Sequence, residues 1–198
     1  ICMTAQVTPS IAWSRLAAAI TYALDIHRAQ TRKGTQTPYI GHLLAVASIV
    51  LEAGGDEEQA MAGVLHDAVE DIGADQAGQI EARFGTRVAQ IVLGCTDADT
   101  LPKPPWRARK EAYLAHLDSA DADTLLVSCA DKLHNARAIV SDVLTHGRSV
   151  FDRFKAGEEG TLWYYRALST RFARLLPGPL ARDLALAVDE MERLAGRP

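Results

Sequence analysis

Almost every segment between the glycine and proline breaks of this 198-residue chain repeats its apolar residues at intervals of three and four. That period belongs to amphipathic helices and excludes half-buried strands. From Ser10 to about Gln30 the apolar positions are Trp13, Leu16, Ala17, Ile20 and Leu24, with His27 on the same face. A second helix is expected from about Tyr39 to Ala53, stopping at Gly54-Gly55, where glycine accepts the left-handed conformation of a helix end. A third is expected over 57–72, with Asp56 and Gln59 forming a capping box and Gly73 ending it. Further helices are expected at 76–84, 86–95, 107–119, 122–145, 158–176 and 180–195. Leu125, Leu126 and Val127 make the best apolar run for a strand, but the helical pattern runs on through them. The expected fold is all-α.

With 48% hydrophobic residues the chain is long enough for one well-buried core, so a single domain over 1–198 is expected, with a flexible stretch at 1–9 and closing helices over 158–198. Its 21 Lys and Arg against 25 Asp and Glu leave a net charge of −4, which argues against a nucleic-acid-coating protein. Cys2, Cys95 and Cys129 lack disulfide-framework or zinc-finger spacing. There is no signal-peptide pattern and no apolar run near the ~18 residues of a membrane span, so a cytoplasmic location is expected.

The stretch GVLHDAVEDIGAD poses a charge problem. On one continuous helix, Met61, Val64, Leu65, Ala68 and Ile72 form an apolar stripe, and His66, Asp67, Glu70 and Asp71 form one polar patch beside it. Carboxylates three and four residues apart repel, and against an apolar wall the cost rises, so a cation is needed. An imidazole next to a carboxylate is a ligand pair that borderline divalent metals accept. Further ligands must come from elsewhere. His42 begins the second helix, and Asp131, His134 and Asn135 share one face in SCADKLHNAR. Lone histidines such as His27, His116 and His146 read as ordinary core or surface residues.

The set YIGH, LHDAVED and CADKLHNAR, with TRKG before it and TDADTLPK and GTLWYYR around it, resembles the HD-domain hydrolase superfamily, and within it the hydrolase module of RelA/SpoT homologues, especially stand-alone small alarmone hydrolases. The resemblance implies one manganese ion held by His42, His66, Asp67 and Asp131, with Glu70 and Asp71 as the catalytic pair. It further implies that Arg32 and Lys33 hold base and phosphate and that Asn135 touches the nucleotide. Leu43 stands where relatives often carry Pro, and Ile72 where many carry Thr; neither replaces a ligand. His134 is read as standing behind the ligands or on the surface.

The implied reaction is hydrolysis of the 3′-pyrophosphate of guanosine tetra- or pentaphosphate, giving pyrophosphate and GDP or GTP. A polyanionic substrate requires local positive charge in an acidic protein. Arg32-Lys33 supplies some, and LPKPPWRARK supplies Lys103, Arg107, Arg109 and Lys110, of which Lys103 and Arg109 are expected to contact the substrate. Tyr164 is the chosen aromatic contact, because four consecutive residues, Trp163 to Arg166, cannot all face inward on a helix. Adenosine alarmones, the 2′-phosphate of NADPH and a catalytically silent nucleotide sensor stay open as alternatives. Di-metal relatives bring extra histidines, and no suitably placed pair is present here.

Overall fold

The computed structural model describes residues 13–97 and 104–196. Among these there is no β-strand; one isolated antiparallel bridge joins Thr31 and Pro38. The helices are α1 Trp13–Ile26, α2 Ile40–Glu52, α3 Glu57–Leu65, α4 Ala68–Asp71, α5 Gln76–Phe84, α6 Thr86–Cys95, α7 Trp106–Leu117, α8 Ala122–His146, α9 Gly157–Leu175 and α10 Pro179–Leu194. A 3-10 helix over Arg148–Arg153, not expected from the sequence, follows α8. The flexible stretch expected at 1–9 lies outside the described residues. No helix of the described residues is long and apolar enough to cross a membrane. Cys95 and Cys129 are buried and free.

Two apolar clusters share α8 as a common wall. Leu16, Leu43, Val46, Met61, Leu65, Ile80 and Val92 pack with Val127 and Ala130 of α8. Leu125, Cys129, Leu133, Ala136, Ile139 and Val143 of the same helix instead pack with residues such as Leu117, Phe151, Leu168, Phe172 and Leu184. Asp131 emerges from the stretch of α8 between Leu125 and Leu133, to which both clusters contribute.

The expected helix over 57–72 is corrected: it is two helices broken at His66-Asp67. Asp56 accepts from the Gln59 N–H while the Gln59 side chain accepts from the Asp56 N–H, so the capping box forms as expected. The chain then departs from helix geometry at Asp67 (φ −95°, ψ −1°). The Gly63 carbonyl, one that an unbroken helix would use, accepts from His66 Nδ1 at 2.8 Å. The break also turns Ile72 outward, 41% exposed, so it leaves the apolar stripe assigned to it.

Gly63 sets the spacing of α2 and α3. A Cβ there would lie 3.2 Å from Ala47 Cα and 3.4 Å from Ala47 N, both main-chain atoms that cannot rotate away. This close approach brings the beginning of α2, with His42, beside the end of α3, with His66.

Candidate metal centre and nucleotide cavity

Four side chains from α2, the α3–α4 break and α8 converge. His42 Nε2 lies 3.5 Å from Asp67 Oδ2 and 3.3 Å from Asp131 Oδ1, and His66 Nε2 lies 3.0 and 3.5 Å from the same two oxygens. Metal–ligand bonds of about 2.1 Å place neighbouring ligand atoms roughly 3.0–3.4 Å apart, which these separations match closely. Ligand atoms of His42, His66 and Asp67 lie within 4.8 Å of one another. Both histidines are 2% exposed, and neither Nε2 has a hydrogen-bond partner despite the nearby carboxylates. Two buried nitrogens without partners, aimed between two carboxylates, fit a divalent cation.

The other ring nitrogens are already committed. His66 Nδ1 donates to the Gly63 carbonyl, and His42 Nδ1 lies 2.8 Å from His134 Nδ1. For His66 this fixes the proton on Nδ1 of the neutral ring and directs the Nε2 lone pair at the centre. His134 thus stands behind a candidate ligand, as expected.

Neighbours balance the charge. Tyr39 donates to Asp67 Oδ2 at 2.6 Å, Lys132 reaches Asp131 Oδ2 at 2.6 Å, and Asn135 donates to Asp131 Oδ1 at 2.5 Å. Burial alone would raise the pKa of Asp67, but His66 and His42 hold it well below the usual carboxylate value. Burial acts the same way on Asp131 and is outweighed by Lys132 and the two histidines. For His66 burial pulls downward, and the two carboxylates outweigh it, holding its pKa well above the ordinary value in the absence of a metal. Burial and then Asp67 push the Tyr39 phenol upward, so it stays a donor. Burial, His42 and Arg32 bring His134 down to about 4, which keeps it neutral.

Glu70 and Asp71 lie on α4, one turn beyond Asp67. Asp71 Oδ2 accepts from Gln30 Nε2 at 2.7 Å, and Glu70 Oε1 lies 4.0 Å from Arg109 Nη1. The break places this pair beside the ligand cluster on a separate short helix, in place of the single helical face expected.

A cavity of about 590 Å³ opens beside His42. Arg32, Lys33, His134, Asn135, Arg153 and Tyr165 are among its lining residues, so Arg32, Lys33 and Asn135 come together as expected. Arg32 donates to Asn135 Oδ1 at 2.8 Å, and Lys33 Nζ sits 5.7 Å from the centre of the Phe154 ring. A Cβ on Gly34 (φ +74°) would lie 2.8 Å from Arg153 Cδ, so this glycine lets the basic loop pack against the 3-10 helix. A second cavity of about 210 Å³ shares Asn135, Ile139, Phe154 and Tyr165 with the first and is also lined by Lys110, Lys132 and Tyr164. Tyr164 is buried, and its hydroxyl has no partner.

Not every expected contact arrives there. Arg109 lines neither cavity; it pairs with Asp97, as does Lys110. Arg107 stacks on Trp163, its guanidinium carbon 3.3 Å from the ring centre. Lys103 lies outside the described residues. Conversely, the structure adds Gln30, Tyr39, Asp97, Lys132 and Tyr165, to which the sequence assigns no individual role. Tyr165 neighbours Tyr164 in the same aromatic run, and the others carry no spacing signal, because their partners are distant in sequence or adjacent on the helix.

Comparison with known proteins agrees with this geometry. A protein from Xenopus tropicalis named guanosine-3′,5′-bis(diphosphate) 3′-pyrophosphohydrolase MESH1 is 40% identical over 122 residues, covering 60% of this chain and 66% of that protein. A Synechocystis protein named as a probable enzyme of the same kind is 36% identical over 124 residues, covering 61% of this chain and 16% of its own length. The chain thus spans less than two thirds of either relative. Among solved structures, one described as a metazoan ortholog of SpoT that hydrolyzes ppGpp superposes with a TM-score of 0.72 at 27% identity, over 92% of this chain and 96% of that one. A Listeria monocytogenes structure gives 0.68 at 31% identity, over 77% and 99%. The HD-domain family model matches residues 19–162, from within α1 to within α9, and includes the whole ligand cluster; the chain belongs to the HD-domain family.

Proposed function

We propose that this protein is a metal-dependent hydrolase that removes the 3′-pyrophosphate of guanosine tetra- or pentaphosphate, yielding pyrophosphate and GDP or GTP. The observation that carries the reading is the pair of buried, unpartnered Nε2 atoms of His42 and His66 facing Asp67 and Asp131, with Glu70 and Asp71 on the short helix after Asp67 and a basic cavity opening beside His42. The names of the Xenopus and Synechocystis relatives and of the metazoan structure support the same substrate class.

His42, His66, Asp67 and Asp131 would hold one divalent ion, proposed to be manganese, whose mixed imidazole and carboxylate set suits a borderline metal. When bound, such an ion polarises a phosphoryl oxygen and makes water more acidic. Glu70 and Asp71 orient the attacking water and move protons, one removing a proton from it and the other supplying one to the departing 3′-oxygen. Arg32 holds base or phosphate with its planar guanidinium, and Lys33 adds a compact charge at the cavity wall. Asn135, which touches both Arg32 and Asp131, connects the nucleotide cavity to the ligand cluster.

The test is a manganese-supplemented panel of guanosine alarmones, adenosine alarmones, NADPH and ordinary nucleoside triphosphates. Pyrophosphate release from guanosine tetraphosphate above the others is expected. Preference for an adenosine alarmone or NADPH would replace the substrate assignment, and tight binding without turnover would replace the enzyme by a sensor.

A further inference from the structure

The hydrogen bond to Asp71 belongs to a longer chain. His27 Nδ1 lies 2.6 Å from Gln30 Oε1, and Gln30 Nε2 lies 2.7 Å from Asp71 Oδ2. His27 is 3% exposed, so a buried ring at the end of α1 is connected through one amide to a carboxylate 41 residues beyond Gln30. We propose that Gln30 is a positioning residue for Asp71, its amide orientation set by His27 and its place set by the loop that also carries the substrate-binding Arg32 and Lys33. The inference rests on the hydrolase reading, in which Asp71 handles protons.

An amide has one accepting and one donating end. A carboxylate accepts, so Gln30 must turn its nitrogen toward Asp71, and its oxygen then faces His27. That oxygen requires a proton on His27 Nδ1. The two hydrogen bonds therefore specify each other, and a reversed amide would set its oxygen against the Asp71 carboxylate and its nitrogen against an N–H. The remaining ring nitrogen, His27 Nε2, is buried and without a partner, so the ring's one hydrogen bond is the one it makes to Gln30.

The backbone of Gln30 is held at both ends. Its N–H donates to the His27 carbonyl at 2.9 Å, and its carbonyl accepts from the Tyr39 N–H at 3.0 Å. The Arg32 N–H to Thr37 carbonyl bond, 2.8 Å, closes the loop between them. Tyr39, across this closure from Gln30, donates through its hydroxyl to Asp67 Oδ2. One closed loop thus grips a candidate metal ligand through Tyr39 and the neighbouring catalytic carboxylate through Gln30. Because α4 is only one turn long, its own backbone bonds are few, and contacts from outside must fix where Asp71 sits.

Displacing a reacting group by about 1 Å costs up to roughly a hundredfold in rate, which sets the expected scale. With manganese and guanosine tetraphosphate, Gln30→Ala and the isosteric Gln30→Glu, whose carboxylate cannot donate to Asp71, should each lower kcat about 10- to 100-fold relative to wild type while KM changes less than about threefold. Both variants should keep the wild-type thermal midpoint within a few degrees. Nitrogen-15 shifts of His27 should report an Nδ1–H tautomer in wild type and a mixture in Gln30→Ala, a readout independent of turnover. Wild-type kcat in Gln30→Glu, or an Nε2–H tautomer at His27, would overturn the positioning role while leaving the hydrolase reading intact. A wild-type chain without turnover would overturn that reading and, with it, the role of Asp71 on which the inference depends.

Discussion

His134 meets His42 through their Nδ1 atoms, 2.8 Å apart, so the ring expected to carry metal on Nε2 is steadied from behind by a second imidazole. One of the two nitrogens must donate and the other accept. His134, kept neutral by burial and by the nearby His42 and Arg32, can take either part. His134→Ala removes the contact without removing a candidate ligand. Loss of such a supporting bond typically weakens metal affinity about 10- to 100-fold, and calorimetric manganese titration of the variant against wild type measures it.

Gly63 permits the close approach of α2 and α3 on which the His42–His66 pairing depends. Gly63→Ala presses a methyl group onto the Ala47 backbone at 3.2 Å. The expected cost is about 1–3 kcal/mol in urea unfolding, as for other overpacked cores, together with weaker manganese binding as His66 is pushed out of place. Helix propensity alone predicts the opposite sign, since alanine favours a helix interior over glycine.

These two contacts show what the sequence made legible and what it did not. Helical period and breaks located most elements, and motif residues His42, His66, Asp67 and Asp131 come together in space. The break at His66-Asp67 was hidden because the apolar period runs on to Ile72 without a glycine or proline to mark it. Tyr39 and Asp97 stand inside the quoted motifs YIGH and TDADTLPK and Gln30 just before TRKG, yet their partners were not legible, because each bonds to a residue remote in sequence and such pairing leaves no periodic trace. Lys132 stands inside CADKLHNAR, but its bond to Asp131 was not legible because adjacent positions on a helix seldom face one another and only its long stem lets Nζ return.

Lys132 supplies the positive charge beside Asp131 when no metal is bound. Burial is the strongest influence and opposes its charge, but Asp131 together with the Tyr113 and Tyr164 phenols outweighs it and raises the pKa. Lys132→Met leaves a buried carboxylate without this partner, a change that commonly costs about 3–5 kcal/mol. Chemical unfolding with and without manganese should show a large deficit in metal-free protein and a smaller one in saturated protein, since a bound cation compensates the same carboxylate.

Asp97 anchors Arg109 and Lys110, and through Arg109 the charge near Glu70. Burial would raise its pKa, yet Lys110 and then Arg109 bring it below the ordinary value. A carboxyl with a depressed folded pKa binds its proton more readily when unfolded, so its stabilising effect is complete above the unfolded value of about 3.9 and is lost as pH falls through the lower folded value. Thermal midpoints of wild type and Asp97→Asn should therefore differ most above about pH 5 and approach each other below about pH 4. A constant gap across that range would show that Asp97 contributes through shape and not charge.

The most direct test of the account is pyrophosphate release from guanosine tetraphosphate by the purified chain with manganese, measured beside Asp67→Ala under the same conditions. The account predicts steady release by wild type and background release by the variant, with the variant still folded by circular dichroism. An unchanged rate in Asp67→Ala would contradict the metal centre on which the proposed reaction stands.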